Sequence, residues 1–369
     1  MVGVFCADAQ EVDRNAPDFV KASVLAVGPG EELFSCVGHA AVRLVCPAHE
    51  LDYCFSYESE KVSDRLGAFF AGGLKMGMFA TKTAEFLDEY REDGRGVKEY
   101  PLELPPAAKT RLWKILDDLA MKGAELPYDY IKRGCAKSVH DAIKSAIGAD
   151  VEESPLPLTQ REVFRGELKA AYPWNLFFLN AIVGVETDTF AEVVTPKNLL
   201  GWLRLAMVDG KPIVAGEGRE LLPRTLPDGA SVFTPMSASV ALLALVVGFA
   251  VLRRTGRGVF AAEIFFRLML ACQFAAGVFF VYLMTASKLP TAAWNWLVVP
   301  FNPVMPILAG LAHFRRGVFA ARVLPCVFAA VIALWAGFMI FAPHALTDPA
   351  WIVTALAYAV IYFEKGGKR

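Results

Sequence analysis

The chain has 369 residues, of which 55% are hydrophobic and 20% are charged, and its mean hydropathy is +0.40. Soluble domains average about 45–50% apolar and about 25% charged residues, so this composition excludes a purely soluble protein and a disordered chain. A net charge of −1 gives no sign of a nucleic-acid-binding surface, and we expect no nucleic-acid partner.

Charged residues are distributed unevenly along the chain. Of the 37 basic and 38 acidic side chains, 61 lie in the first 234 residues and only 10 lie in residues 235–363. A membrane-spanning helix requires about 20 mostly apolar residues, and only the second part of the chain offers such stretches. We therefore predict a hydrophilic domain over residues 21–234 and a transmembrane domain over residues 235–369.

Residues 1–20 are predicted to be a separate N-terminal segment. Ala7-Asp8-Ala9 has the small-x-small pattern of a signal-peptide cleavage site, but the apolar run before it is too short for a signal peptide. We expect this segment to be the remnant of a signal peptide that begins upstream of Met1.

The first predicted elements of the hydrophilic domain are strands. Alternating apolar residues and β-formers predict strands over Lys21–Val27, His39–Val45 and Leu51–Tyr57, and a further strand within Gly94–Leu104. A short helix is predicted between the first two strands, over Glu31–Val37.

Two amphipathic helices follow. Apolar residues at helical spacing predict a helix over Pro106–Lys122. Residues 127–134 are predicted to form a loop or a strand, and Cys135–Ile147 a second helix that ends at Gly148. Strands and helices are thus mixed, so the hydrophilic domain is predicted to be of the α+β class.

Five apolar stretches predict about five transmembrane helices in an all-α bundle, at residues 236–252, 264–286, 291–312, 323–342 and 348–363. Pro300, Pro303 and Pro306 are expected to kink or break the third helix.

The orientation of these helices follows from Lys and Arg in the short loops. The loops after the first and third stretches contain three arginines each, and the C-terminal tail contains three basic residues. The second loop contains only Lys288, and the fourth contains no basic residue. We therefore predict a cytoplasmic C-terminus and place residues 1–235 on the outer side of the membrane.

Cys135 has the sequence context of a reactive thiol. It follows Gly134 and opens a predicted helix, where the positive end of the helix dipole favours the thiolate. An inert buried cysteine is the alternative interpretation. The seven cysteines form no C-x-x-C pair and no Cys/His group with zinc-ligand spacing, so we expect neither a metal nor a cofactor.

His39 is the best candidate for the base that would activate this thiol. Its small neighbours Gly38 and Ala40 leave the ring accessible at the start of a predicted strand. His140 lies five residues after Cys135, which is about 140° around a helix, so it cannot easily serve that thiol. A histidine that is satisfied within the core is the alternative interpretation of His39.

The residues around these two positions resemble the Lnb N-terminal periplasmic domain family. Residues 24–44 have the opening pattern of that family, with Gly38-His39 followed by Arg43. Three later segments resemble further blocks of the family: Cys54-Phe55-Ser56-Tyr57, then Tyr128-Asp129-Tyr130 with Cys135-Ala136-Lys137, and then Phe164-Arg165 with Pro173-Trp174. The resemblance spans residues 21–215. Gly134 and Ser56 depart from it, because the family usually has Asn at both places.

The family is similar to circularly permuted papain-like (NlpC-like) thiol enzymes, in which the histidine precedes the cysteine. The resemblance therefore implies a permuted papain-like periplasmic domain, followed by the helix bundle in the bacterial inner membrane. It implies Cys135 as the nucleophile and His39 as the general base and acid, and we expect the two to form an ion pair. Ser56 and Tyr57 are candidates to orient His39, and Tyr128 and Tyr130 are candidate oxyanion or substrate contacts.

Characterised members of the family are bacterial lipoprotein N-acyltransferases. The resemblance thus implies transfer of a fatty acyl chain from a phospholipid donor, through a thioester, to the N-terminal amine of a diacylated lipoprotein. Two alternatives remain open: a papain-like cell-wall peptidase or amidase, and a catalytically decayed, membrane-anchored binding module.

Overall fold

The computed structural model describes residue 16 and residues 19–32, 35–60, 62–123, 125–129, 131–148, 158–190, 193–227, 233–314, 318–342 and 348–366. The expected signal-peptide remnant at residues 1–20 therefore lies largely outside the described residues. The described chain is a mixed α/β region with an antiparallel sheet, followed by a helical region.

The centre of the first region is a seven-stranded sheet. Its strands and those of a separate two-stranded pair are β1 (Lys21–Val27), β2 (His39–Cys46), β3 (Leu51–Ser59), β4 (Lys75–Lys82), β5 (Val97–Pro101), β6 (Leu126–Pro127), β7 (Met207–Val208), β8 (Lys211–Pro212) and β9 (Arg219–Leu222). The spatial order in the large sheet is β6-β4-β3-β2-β1-β5-β9, and β7 pairs with β8. Every neighbouring pair is antiparallel.

Seven α-helices accompany this sheet in the described chain: α1 (Leu66–Ala71), α2 (Thr83–Glu92), α3 (Pro106–Lys122), α4 (Cys135–Ile147), α5 (Gln160–Leu168), α6 (Pro173–Ile182) and α7 (Pro196–Leu205). The predicted helices α3 and α4 are confirmed at both ends, and so is strand β1. Strands β2 and β3 extend slightly beyond their predicted ends, and β5 is shorter than predicted.

The helix predicted over Glu31–Val37 is absent from the described part of that segment. Residues 31–32 form a bend and residues 35–37 a turn. The backbone N–H of Gly30 donates to the carbonyl of Ser35, and Gly38 adopts a φ of 89°. The chain thus folds back on itself to enter β2, and this reversal is incompatible with a continuous helix.

The two faces of the sheet pack against different helices, because successive side chains of a strand point to opposite faces. Val24, Val42 and Leu44 pack in one core with residues of α3, α4 and α7. Leu25 and Ala41 pack in a second core with Phe86 and Tyr90 of α2. The sheet is therefore covered by helices on both sides.

The second region consists of α8 (Pro235–Arg254), α9 (Val259–Thr285), α10 (Val304–Phe314), α11 (Val318–Phe341) and α12 (Ala350–Gly366). Within the described residues, three helices are long and apolar enough to cross a membrane: α8, α9 and residues 321–341 of α11. These lie in the first, second and fourth predicted stretches. Helix α12 covers the fifth stretch but has only 17 residues.

The third predicted stretch, residues 291–312, is not one continuous helix, in agreement with the kink or break predicted at its prolines, and five spanning helices are not confirmed. Residues 290–292 and 296–298 form short 3₁₀ turns, and α10 begins only at Val304. Prolines lack the N–H that a helix interior requires, and Pro300 and Pro303 lie before the start of α10. The side chain of Asn302 accepts a hydrogen bond from the backbone of Val304 and helps the new helix to begin.

The two regions are joined by hydrogen bonds between their backbones. The N–H of Gly184, just after α6, donates to the carbonyl of Thr291 at 2.6 Å, and Lys288 donates to the carbonyl of Ala71. A Cβ at position 184 would overlap the carbonyl of Ala293, so only glycine permits this close approach.

At their other ends, α8, α9 and α12 share a cluster of paired charges, here called the charge cluster. It consists of Arg253, Arg254, Glu263, Glu364 and Lys365. Glu263 pairs with Arg253 at 3.1 Å and with Lys365 at 2.6 Å, and Glu364 pairs with Arg254.

Candidate active site

A cavity of about 520 Å³ opens at the end of the sheet where β2 begins. Strand β2 supplies His39, strand β3 supplies Tyr57 and Glu58, and the start of α4 supplies Cys135. The two residues expected to carry the chemistry, 96 positions apart in sequence, therefore border one cavity.

Cys135 is the first residue of α4, and Gly134 before it has an extended backbone conformation. Helix α4 packs against β2 and β3, so its first turn lies beside the start of β2. Backbone N–H groups of Ala40 and Ala136 interact with the sulfur and favour the thiolate, but burial outweighs them and raises the pKa of Cys135. The resting group is therefore a thiol.

His39 is the first residue of β2. Its ring stacks on Tyr90 of α2, with 6.2 Å between the ring centroids. The Nε2 atom is buried and has no hydrogen-bond partner among the described residues. Burial, together with the positive charge of Arg95, lowers the pKa of His39 to about 4, so the imidazole is neutral at neutral pH.

The expected ion pair between His39 and Cys135 is not formed in this structure. Nε2 makes no hydrogen bond to any described residue, and the pKa shifts of His39 and Cys135 both favour the neutral forms. The physical reason is that burial penalises the imidazolium and the thiolate alike. The arrangement fits proton transfer from a neutral thiol to a neutral base better than a preformed thiolate.

Ser56, Tyr57, Tyr128 and Tyr130 are the other residues predicted to belong to the site. Tyr57 and Tyr128 both border the cavity, and burial raises the pKa of each phenol. Both hydroxyls therefore keep their protons and can donate. Ser56 is buried, donates to the carboxylate of Glu58 at 2.5 Å and is not among the described lining residues. Tyr130 lies outside the described residues.

Sequence reasoning did not single out Arg95, which also borders the cavity. Its side chain is only 8% exposed, and its guanidinium lies 4.9 Å from the centroid of the Tyr90 ring. Nε donates to the carbonyl of Gly28 at 2.9 Å, whereas Nη2 is buried and has no hydrogen-bond partner in the described part of the chain. The available signal was the sequence Gly94-Arg95-Gly96, in which an arginine interrupts the start of a predicted strand.

The far wall of the cavity is apolar and belongs to α5 and α6. Phe164 and Leu168 of α5 and Leu179 of α6 line it. The same helix α6 turns Phe177 toward α12, where its ring stacks on Trp351 with 4.1 Å between centroids. Phe178 of α6 is 51% exposed. One short helix thus separates the cavity from the ends of the apolar helices.

The described residues contain no group of three or more His, Cys, Asp or Glu side chains that could hold a metal ion. The described lining of the cavity offers two thiols, an imidazole, three phenols, a guanidinium and six carboxylates.

Comparison with known proteins gives one match. Residues 9–166 match the model of the family described as the Lnb N-terminal periplasmic domain. The match ends before Pro173-Trp174, so it is shorter than the resemblance over residues 21–215. No curated protein and no solved structure matches the chain. Over residues 9–166 the chain is therefore similar to the Lnb N-terminal periplasmic domain, and the apolar helices that follow indicate a membrane protein.

Proposed function

We propose that this protein is a thiol-dependent acyltransferase with a permuted papain-like domain. It moves a fatty acyl chain from a membrane phospholipid to the N-terminal amine of a diacylated lipoprotein. The observation that carries this proposal is that Cys135 and His39 border one cavity whose apolar wall, on α6, adjoins the ends of the apolar helices.

In the first half-reaction, Nε2 of His39 takes the proton of the Cys135 thiol while the sulfur attacks the ester carbonyl of the phospholipid. The substrate and a rotation of the imidazole bring the two groups into line, since catalytic hydrogen bonds are often incomplete in an empty site. The tetrahedral intermediate collapses, the C–O bond breaks, and the lysophospholipid alcohol leaves with the proton from His39. A thioester on Cys135 remains.

In the second half-reaction, the lipoprotein amine attacks the thioester carbonyl. His39 accepts the amine proton and returns it to the departing sulfur, so the amide forms and the thiol is restored. The backbone N–H groups at the start of α4 and the phenol of Tyr128 are the proposed donors to the oxyanion in both steps.

The position of the site favours substrates that are themselves anchored in a bilayer. Trp174, Phe177 and Phe178 on α6 form an aromatic surface with Phe233, just before α8. Aromatic side chains of this kind are typical of the membrane–water interface. We place this surface at the outer face of the bacterial inner membrane, with residues 1–235 in the periplasm and the C-terminus in the cytoplasm.

The test is mass spectrometry of lipoprotein N-termini in bacterial cells that depend on this protein for N-acylation. The Cys135→Ala and His39→Ala variants are expected to abolish N-acylation, while the control Cys272→Ala keeps it, because Cys272 is exposed on α9, away from the cavity. Expression of each variant is checked by immunoblotting.

Three outcomes contradict the proposal. Normal acylation with altered peptidoglycan fragments in the Cys135→Ala cells indicates a cell-wall peptidase or amidase. No change in either product indicates a binding module. Loss of acylation in the Cys272→Ala control as well indicates a structural effect rather than a catalytic one.

A further inference from the structure

Among the described lining residues of the cavity, Arg95 carries a positive charge to which the proposed reaction assigns no role. The guanidinium of Arg95 is held by the carbonyl of Gly28 and by the ring of Tyr90, so its position is fixed by the fold. Arg95 is more than nine-tenths buried, and its Nη2 has no hydrogen-bond partner among the residues that the structure describes. A buried donor of a charged group is costly to leave unpaired, so a ligand oxygen is the expected partner.

The remaining charges around the cavity are negative. The described lining residues include six carboxylates, at Glu31, Glu32, Glu58, Glu60, Glu89 and Asp93, and one guanidinium, at Arg95. Most of these carboxylates are exposed, so they form the rim, whereas Arg95 lies deeper. A ligand with only negative charge meets repulsion at this rim, and a ligand with only positive charge meets Arg95 inside.

We propose that the cavity selects a zwitterionic phospholipid headgroup, with a phosphodiester oxygen bound to Nη2 of Arg95 and the ammonium group at the carboxylate rim. This inference rests on the proposed transfer from phospholipid and names the headgroup of the donor. Guanidinium groups bind phosphate oxygens through charge-assisted hydrogen bonds, and the rim supplies the opposite charge that the ammonium requires.

The location of Arg95 agrees with this role. Arg95, His39 and Cys135 all border the cavity, so a phosphate bound to Arg95 shares the cavity with the reacting groups. Phe164, Leu168 and Leu179 line the same cavity and offer apolar contacts for an acyl chain.

Binding is measured first, on the full chain in detergent with Cys135→Ala to prevent turnover. The probes are two short-chain lipids with the same acyl chains, one with a phosphoethanolamine headgroup and one with a phosphoglycerol headgroup. We expect the zwitterionic probe to bind about tenfold more tightly, and Arg95→Gln to weaken its binding about ten- to hundredfold. Arg95→Lys, which keeps the charge, is expected to recover part of the affinity.

The control is Arg91→Gln, near the end of α2 and four residues before Arg95. Arg91 is exposed and is not among the described lining residues, so this substitution should leave binding unchanged. The inference is overturned if both lipids bind equally or if the anionic lipid binds more tightly. It is also overturned if neither Arg95→Gln nor Arg95→Lys changes the affinity for the zwitterionic lipid. Headgroup binding does not require turnover, so it can be observed even if the protein transfers no acyl chain. Failure of the proposed function is therefore distinguishable from failure of this inference.

A second measurement separates headgroup binding from oxyanion stabilisation. Acylation of Cys135 by an activated acyl ester without phosphate is compared between the wild-type protein and Arg95→Gln. Headgroup binding predicts similar rates with this ester and a large loss with the zwitterionic phospholipid. An equal loss with both donors assigns Arg95 to the oxyanion and contradicts the inference.

Discussion

The cavity and the charge cluster both contain several ionisable groups, but only in the charge cluster does each group have a partner of opposite charge. In the charge cluster each group has an opposite charge, as in the pairs of Glu263 with Arg253 and Lys365. In the cavity, Nε2 of His39 and Nη2 of Arg95 are buried and find no hydrogen-bond partner within the described residues. Paired charges stabilise a fold by themselves, whereas unpartnered buried groups cost stability and are typical of sites that receive a ligand. Substitutions in the cavity should therefore change acylation, whereas substitutions in the charge cluster should change stability.

Removal of the nucleophile should have the largest effect. Cys135→Ser keeps the size of the side chain but replaces the thiol with a hydroxyl of much higher pKa, so acyl-enzyme formation should fall by about 10³-fold or more. Intact-protein mass spectrometry after incubation with phospholipid measures the acyl adduct. Persistence of the adduct in this variant would show that another residue is acylated.

The pH dependence of acylation should report the unusual state of His39. Because its pKa is lowered to about 4, the imidazole remains a neutral base well below the usual value of 6.5. The rate should therefore stay constant as the pH falls through 6.5 and decrease only near pH 4, where the imidazolium can no longer accept the thiol proton. In Arg95→Gln the positive neighbour is lost, so the decrease should move to higher pH. A decrease centred at pH 6.5 in the wild-type protein would contradict the burial of this ring.

A substitution at the junction of the two regions should affect stability more than chemistry. Gly184→Val places a side chain against the carbonyl of Ala293 and should lower the free energy of unfolding by about 1–3 kcal/mol. Gly166→Ala on α5 is the control, because a Cβ there meets open space. Thermal unfolding in detergent measures both variants, and equal melting temperatures would show that the junction tolerates a side chain.

The smallest effect is expected in the charge cluster. Glu364 is buried, and Glu364→Gln removes its pairing with Arg254, which is mostly exposed. The free energy of unfolding should fall by about 1–2 kcal/mol, with acylation unchanged. Arg267→Gln is the control, because this exposed arginine pairs only weakly with Glu263, at 3.9 Å. Loss of acylation in Glu364→Gln would show that the two ends of the helices are coupled.

The sequence predicted features that depend on neighbouring residues better than features that depend on contacts between distant parts of the chain. Strand β1 and helices α3 and α4 begin and end where their periodicity, prolines and glycines predict, because these signals depend on near neighbours in the chain. The turn at residues 35–37 was not predicted, because hydrogen bonds within the turn outweigh the local helical pattern. The prolines did predict a break in the third apolar stretch, but the start of α10 depends on the capping side chain of Asn302.

Sequence patterns were sufficient to divide the chain into a charged and an apolar region, to find the similarity of residues 9–166 to the Lnb N-terminal periplasmic domain, and to select Cys135 and His39 as candidates. Only the tertiary structure decided that Arg95 and Tyr90 border the same cavity, that His39 is neutral there, and that α6 separates the cavity from the apolar helices. The reason is that hydropathy and motifs are properties of neighbouring residues. Burial and charge at a site instead depend on which distant strands and helices the fold brings together.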